Sequence, residues 1–170
     1  QSVRVFTFGG EGFPKGELKK LYSIYGKQAD IINVYGPTEG SCICSSYNIS
    51  KKDFEDMSIL APLGTINPNF EYMIVDENMR EVESGKKGEL CLVGPNVALG
   101  YYNDSNRTAQ NFVQNPKIRT HQDIIYKCGD IVYEKDGLLC FSGRVDNQIK
   151  HMGYRIELEE IESALNGLKY

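Results

Sequence analysis

Histidine is nearly absent from the sequence, which holds only His121 and His151, and its five cysteines form no C-x-x-C pair. A zinc site is therefore not expected. Basic charge is not in excess either: 19 Lys and Arg stand against 23 Asp and Glu, for a net charge of -4. A nucleic-acid partner needs a basic footprint that this balance does not supply. Lys15, Lys19, Lys20 and Lys27 do cluster, at spacings that suit the wet face of a helix. No apolar run approaches the roughly 18 residues needed to cross a bilayer, so membrane insertion is not expected. No G-x-x-x-x-G-K-[ST] loop occurs, which removes a GTPase-like switch. The start, Gln1-Ser2-Val3-Arg4-Val5-Phe6, carries neither an initiator Met nor a signal-peptide layout. It reads as a strand entered in mid-protein, and the chain is expected to be a fragment. Cys42-x-Cys44 has the alternation of a strand, Cys91 sits in an apolar run, and only Cys128 lies in a motif. Reduced thiols in a cytoplasm are the expectation.

With 170 residues, 41% of them hydrophobic, the chain is long enough for one domain with a core plus the start of another. Val3 to Phe8 is a short apolar run that ends at Gly9-Gly10 and predicts a buried strand. Pro14 opens a helical stretch with Leu18, Leu21, Tyr22 and Tyr25 on one face, and Gly26 stops it. Ile31 to Tyr35 predicts a second strand that turns at Gly36-Pro37. Strand, helix and strand in some thirty residues make one parallel crossover unit. Cys42 to Tyr47 predicts a further strand. Beyond the polar connection 50–60 the character changes. Phe70 to Asp76, Gly88 to Val93 and Ile131 to Tyr133 read as short β runs with hairpin punctuation, so a small antiparallel or barrel-like subdomain is expected. Asp104 to Phe112 predicts a short helix capped by Asp104 or Ser105. Glu134-Lys135-Asp136-Gly137 predicts a tight turn into Leu138 to Ser142. From Gln148 the chain is expected to run through Gly153 into a helix with Leu158, Ile161, Leu165 and Leu168 on one side. The fold class is thus α/β. The parallel βαβ unit and the β-barrel-like part would belong to a large N-terminal domain, followed by the start of a C-terminal α+β domain. Expected bounds are 1–60 for the end of the α/β core, 61–145 for the β-rich part, and 146–170 for a hinge and the start of the C-terminal domain.

Ligands in open α/β units gather at the carboxyl ends of the strands. Those ends are Gly9-Gly10-Glu11 and Asn33-Val34-Tyr35-Gly36-Pro37-Thr38-Glu39. The Gly-Pro turn is expected to bring Thr38 and Glu39 to the rim of the crevice. A hydroxyl there can donate to a phosphate oxygen, and a carboxylate can hold a magnesium ion that bridges phosphates. A Tyr at the strand end can lie flat on a purine. Taken alone, Gly-Pro-Thr-Glu is more often a turn with an incidental acid. In Tyr126-Lys127-Cys128-Gly129-Asp130 the acid after a Gly turn can accept from both hydroxyls of a ribose, although taken alone such a motif is weak and more often a plain turn. Gly143-Arg144-Val145-Asp146-Asn147-Gln148-Ile149-Lys150, followed by Gly153-Tyr154-Arg155-Ile156-Glu157-Leu158, crowds basic residues, an acid and a Gly between two structural units. That suits either an ordinary solvated linker or one whose charges engage a ligand in one pose and a partner in another.

Together with Phe8-Gly9-Gly10-Glu11, Gly88-Glu89-Leu90-Cys91 and Gly100-Tyr101-Tyr102, and in this order, these motifs resemble the amino-acid adenylation domains of nonribosomal peptide synthetases. They are similar too to D-alanine–carrier-protein ligases and, more distantly, to acyl-CoA synthetases and luciferases, all adenylate-forming enzymes. The resemblance covers nearly the whole chain. It implies an AMP-forming ligase that binds ATP and magnesium, makes an aminoacyl adenylate from an amino-acid substrate, and passes it to the phosphopantetheine arm of a carrier protein. It implies that Tyr35 stacks on adenine with Asn33 and the backbone of Gly10 and Glu11 near its edge. Gly36 would turn the chain there, Thr38 would contact the α-phosphate and Glu39 would ligate magnesium. Asp130 would hold the ribose with Arg144 beside it, Asp146 would be the hinge, Lys150 would reach the active-site edge, and Gly153 would let the pantetheine arm pass.

Departures qualify the likeness. Gly12-Phe13-Pro14-Lys15-Gly16 looks like the end of a phosphate loop, yet it has no Ser or Thr and leads into a helix, so it reads as a helix start. Cys128 stands where Thr is usual, and Gly9 where the D-alanine ligases have Cys. The run Ile118-Arg119-Thr120-His121 is nonetheless similar to theirs. A fragment of an acyl- or aryl-CoA ligase, and a non-catalytic module that only binds nucleotide or docks, are the competing readings. Pyrophosphate exchange separates an enzyme from a binder.

Overall fold

The computed structural model describes residues 2–146, 148–152, 154–156 and 158–166. Strand β1 (Val5–Gly9) and strand β2 (Asp30–Tyr35) run parallel, in register from Val5 opposite Asp30 to Gly9 opposite Val34. The crossover between them is helix α1 (Lys15–Tyr25), preceded by Pro14 and closed by the Gly26 N–H donating to Tyr22 O. Its apolar face buries Leu18 against Ile31, Ile49 and Ala61, with Leu21 and Tyr22 at the margin. That burial, rather than helix propensity, is what stabilises a three-turn helix. β3 (Ser45–Asn48) pairs antiparallel with β2, and β4 (Thr65–Ile66) with β3, so the sheet order is β1-β2-β3-β4. β4 therefore joins the first sheet although its residues lie within the expected 61–145 unit.

The strand expected from Cys42 begins only at Ser45. After Gly36-Pro37 the chain makes a short 3-10 turn, Thr38–Gly40, and passes through left-handed Ser41 (φ 56) and Cys42 (φ 87). A side chain at Gly36 would run into the Cys42 carbonyl, so the fold-back needs glycine there. The alternation of Cys42 and Cys44 thus marks a turn, not a strand.

The second sheet is antiparallel. It comprises β5 (Glu71–Val75), β6 (Gly88–Val93), β7 (Phe112–Gln114), β8 (Ile124–Lys135) and β9 (Leu138–Arg144), in order β5-β6-β8-β7 with β9 also on β8. β8 is far longer than the expected Ile131–Tyr133. Its first half pairs with β7, its second half with β9, and β6 flanks it on the other side. Period-two alternation sends Leu90 and Leu92 of β6 to one core with Phe70, Tyr126, Val132 and Leu139, and Cys91 to the opposite face with Met73, Val75 and Ile125. Leu90 and Leu92 are fully excluded from water, and truncating either to Ala costs about 3 kcal/mol. Helix α2 (Ser105–Asn111) precedes β7, and Asp104 rather than Ser105 caps it by accepting from the Arg107 N–H at 2.9 Å.

The two sheets are joined by the Leu63 N–H donating to Leu139 O (2.8 Å) and the Leu139 N–H to Gly64 O (2.9 Å). This seam faces the carboxyl end of β2 toward the middle of β8 and the end of β9. Beyond it, β10 (Ile149–His151) and β11 (Tyr154–Ile156) form an antiparallel hairpin before helix α3 (Leu158–Asn166). The sequence reading expected the helix but not the hairpin. Ile161 and Leu165 of α3 are exposed. Leu168 lies outside the described residues.

Candidate nucleotide site

A cavity of about 460 Å³ opens where the two sheets meet. Phe8, Phe13, Leu60, Ala61, Leu63 and Phe141 give it apolar walls, and Gly10, Glu11, Asn33, Tyr35, Asp130, Arg144 and Lys150 its polar lining. An adjoining hollow of about 180 Å³ shares Gly10, Tyr35, Asp130, Arg144 and Lys150 with it and adds Gly36, Thr38 and Arg155. Nine candidate residues from four separate stretches of sequence thus surround one continuous lining. Glu39 and Asp146 line neither cavity.

Asp130 is the best-held group. It is 6% exposed. Its Oδ1 accepts from Arg144 Nη1 at 2.6 Å, and its Oδ2 accepts from the Tyr35 hydroxyl. The preceding Gly129 is left-handed (φ 71), and a side chain there would meet the Arg144 guanidinium 2.8 Å away. Burial, aided by the nearby Cys128 and Asp130, raises the Tyr35 pKa well above that of an ordinary phenol, which keeps its hydroxyl a donor. Arg144 forks onto Asp146 as well, with Nε to Oδ1 at 2.6 Å and Nη2 to Oδ2 at 2.7 Å. Burial opposes the charge of Arg144, but the carboxylates of Asp146 and Asp130 outweigh it and raise its pKa. Burial likewise works against the Asp146 carboxylate, and Arg144 more than offsets it, so the Asp146 pKa is lowered. Asn33 is buried, and its Nδ2 donates to Pro62 O at 2.8 Å, which leaves the amide oxygen as the acceptor it can offer a ligand.

Glu39 departs from the expected rim position. The 3-10 turn carries it away from the cavity, its carbonyl accepts from the Ala98 N–H, and it is 6% exposed. Oε1 accepts from Tyr101 OH at 2.6 Å and from Arg155 Nη1 at 2.8 Å. Oε2 is buried without a hydrogen-bond partner. Burial pushes the carboxyl upward, yet Tyr101, the local backbone and Arg155 together hold it below its ordinary value. A buried, ionised carboxylate with one orphaned oxygen suits magnesium, which takes one or two carboxylates and draws its other ligands from phosphates and water. Among the described residues, no group of three or more His, Cys, Asp or Glu is placed to hold a metal ion.

Lys15 has no part in this lining. It is buried, and its ammonium donates to the Asp53 and Asp56 carbonyls, which agrees with a helix start rather than a phosphate contact. Gly153 lies outside the described residues. Sequence reasoning missed three contacts: Tyr35 to Asp130, Tyr101 to Glu39 and Arg155 to Glu39. The Gly100-Tyr101-Tyr102 motif was the one available signal for Tyr101, and no spacing ties it to a glutamate 62 residues earlier.

A family model described as AMP-binding enzyme matches residues 1–102. The D-alanine–D-alanyl carrier protein ligase of Bacillus cytotoxicus is 36% identical over 169 residues, covering 99% of this chain and 32% of that protein. Bacitracin synthase 1 of Bacillus licheniformis is 38% identical over 165 residues, 96% of this chain and 3% of that protein. Among solved structures, holo-PA1221, described as an NRPS protein containing adenylation and PCP domains bound to a vinylsulfonamide inhibitor, superposes with a TM-score of 0.87 at 28% identity, over 96% of this chain and 28% of its own. The chain spans about a third of the length of the ligase relative. With the motifs in order, the lining they form and matches that run nearly end to end, the chain belongs to the AMP-binding enzyme family.

Proposed function

We propose that the full-length parent is an ATP-dependent, AMP-forming ligase that activates an amino acid and transfers it to the phosphopantetheine thiol of a carrier protein. The observation that carries this reading is the convergence of Asn33, Tyr35, Asp130 and Arg144 on one apolar-walled cavity of about 460 Å³. That volume lies within the usual range for small-ligand sites. The Asn33 oxygen is matched to the exocyclic amine of adenine, the Tyr35 ring to its face, and the Asp130 carboxylate to two ribose hydroxyls. Arg144 holds Asp130 in place and stays charged through both of its carboxylate partners. Thr38, in the smaller hollow, donates to the α-phosphate, and Lys150 faces the same space from β10.

In the first half-reaction the amino-acid carboxylate attacks the α-phosphorus. The new P–O bond replaces the bond to the leaving pyrophosphate. In the second, the carrier thiolate attacks the acyl carbon and AMP leaves with the mixed-anhydride oxygen. Glu39 would hold a magnesium ion, whose charge would neutralise that of the phosphates. Asp146, forked onto Arg144 at the junction with the β10–β11 hairpin, is the hinge between poses that serve the two steps. The ligase relative is named for a D-alanyl carrier protein and the solved structure is described as containing adenylation and PCP domains, which supports a carrier acceptor over coenzyme A. The five free cysteines favour a reducing cytoplasm, and no helix among the described residues is long and apolar enough to cross a membrane.

The test is pyrophosphate exchange by the full-length parent against a panel of amino acids, followed by loading of a phosphopantetheinylated carrier. Amino-acid-stimulated exchange with carrier loading is expected. Stimulation by fatty or aryl acids alone, with coenzyme A as acceptor, would overturn it.

A further inference from the structure

Gly100-Tyr101-Tyr102 stands apart in the sequence with no role attached to it. Tyr102 is fully exposed, whereas Tyr101 turns inward and is half-buried. Three contacts from α2 and β7 fix its position. Its N–H donates to Thr108 Oγ1 at 2.9 Å, and that hydroxyl in turn donates to Asp104 O at 2.7 Å. The Arg107 guanidinium lies 4.8 Å from its ring centroid, and Phe112 meets it edge-on at 5.5 Å. The Tyr101 hydroxyl donates to Glu39 Oε1 at 2.6 Å.

Two donors therefore share Oε1, and neither reaches Oε2. They differ in where they come from. Arg155 arrives from β11, beyond Asp146, and its hold depends on the pose of the hairpin. Tyr101 and Glu39 both lie on the other side of Asp146 and are tied by the Ala98 N–H to Glu39 carbonyl bond at 2.8 Å. Without Arg155, the phenol is the side-chain contact that keeps the carboxylate from rotating.

We propose that Tyr101 is a positioning residue: its hydroxyl fixes Glu39 Oε1 so that the unpartnered Oε2 is presented to a divalent cation. The inference rests on Glu39 being the cation's carboxylate. Groups that orient a metal's ligand are often worth an order of magnitude or more in its affinity. They do so by charge-assisted hydrogen bonding rather than by contact with the ion.

The experiment is a magnesium titration of pyrophosphate exchange in the full-length parent, for wild type, Tyr101→Phe, Tyr72→Phe and Glu39→Gln. Tyr101→Phe keeps the ring against Phe112 and Arg107 and removes one oxygen. It is expected to raise the half-saturating magnesium concentration roughly tenfold while exchange at saturating magnesium stays close to wild type. Tyr72 also donates to a carboxylate, Glu134 at 3.1 Å, away from the site, and Tyr72→Phe is expected to leave the magnesium curve in place. A Tyr101→Phe curve superimposed on wild type, with Glu39→Gln inactive, overturns the inference and leaves the reading of Glu39 standing. An equal shift in Tyr72→Phe overturns it as a general loosening of the sheet. Full exchange by Glu39→Gln at wild-type magnesium overturns the reading of Glu39 and the inference with it.

Discussion

Two buried acids, Asp130 and Glu39, are each 6% exposed, and each faces an arginine and a tyrosine. They are partnered in opposite ways. Asp130 shares its donors evenly, with Arg144 on one oxygen and Tyr35 on the other. Glu39 receives both donors on Oε1 and leaves Oε2 with none. A carboxylate satisfied on both oxygens is a preorganised acceptor whose partners can be exchanged for ligand hydroxyls. A buried carboxylate with one bare oxygen retains an uncompensated lone pair, which a cation relieves. The supports differ too. Asp130 and Arg144 are cross-strand neighbours on β8 and β9, whereas Glu39 depends on a three-residue turn and on a hairpin from the far side of Asp146.

The sharpest way to break the contrast is Glu39→Gln in the full-length parent. Glutamine can keep an acceptor toward Tyr101 and Arg155 but removes the charge, so a fall of about a hundredfold or more in adenylate formation is expected with the fold retained. Pyrophosphate exchange measures it, and wild-type rates at ordinary magnesium would make Glu39 a structural acid like any other. Asp130→Ala comes next. It is expected to weaken ATP binding by about 2 kcal/mol and to reduce the preference for ribose over deoxyribose, because a charged acceptor of two hydroxyls is gone. Comparing dissociation constants for ATP and 2′-deoxy-ATP checks it. An unchanged preference would reduce Asp130 to a turn residue that anchors Arg144.

A third substitution needs only the chain itself. Arg155→Met leaves Glu39 buried with Tyr101 as its one remaining side-chain donor. Stripping a fully buried ion pair of one partner costs about 3–5 kcal/mol. The Arg155 side chain is 35% exposed, so a loss of about 1–2 kcal/mol in urea unfolding is expected instead. Combining it with Glu39→Gln should recover most of that loss, since no charge is then stranded. Strictly additive costs would show that the two residues do not couple.

The two centres also differ in how visible they were before folding. The parallel unit was legible because apolar runs, Pro14 and Gly26 all specify the same strand, helix and strand. Gly88–Val93 was legible for the same kind of reason, since glycines bracket its apolar run. β8 was underestimated because Gly129 and Asp130 in its middle look like a turn; Gly129 is left-handed (φ 71), and pairing with β6, β7 and β9 carries the strand through that irregularity. The Cys42–Cys44 alternation misled because left-handed backbone at Ser41 and Cys42 has no period to read. The residues of the Asp130 centre lie in motifs that the family resemblance singled out, Tyr35 and Arg144 at strand ends and Asp130 inside β8. Glu39 was singled out in the same way but its partners were not, because Tyr101 and Arg155 reach it over 62 and 116 residues and no local pattern encodes a contact that distant.

Asp146 gives the smallest effect, and it belongs to the Asp130 centre, since Arg144 holds Asp130 through Nη1 and Asp146 through Nε and Nη2. The Asp146 side chain is 41% exposed, so solvent screens the pair even though its geometry is bidentate. Asp146→Asn is expected to cost only about 0.5–1 kcal/mol in the unfolding of the chain at pH 7. The pH dependence fixes the interpretation. Burial works against the Asp146 carboxylate, but Arg144 holds its folded pKa below the ordinary 3.8. Its contribution is therefore present above that value and lost as pH falls through the folded pKa. The stability gap between wild type and Asp146→Asn should be constant from pH 7 to about 5 and should close as the solution is acidified below 3.8. A gap that persisted in acid would mean that asparagine disturbs the local backbone rather than the ion pair. A gap of zero at pH 7 would mean that Arg144 is held by Asp130 alone.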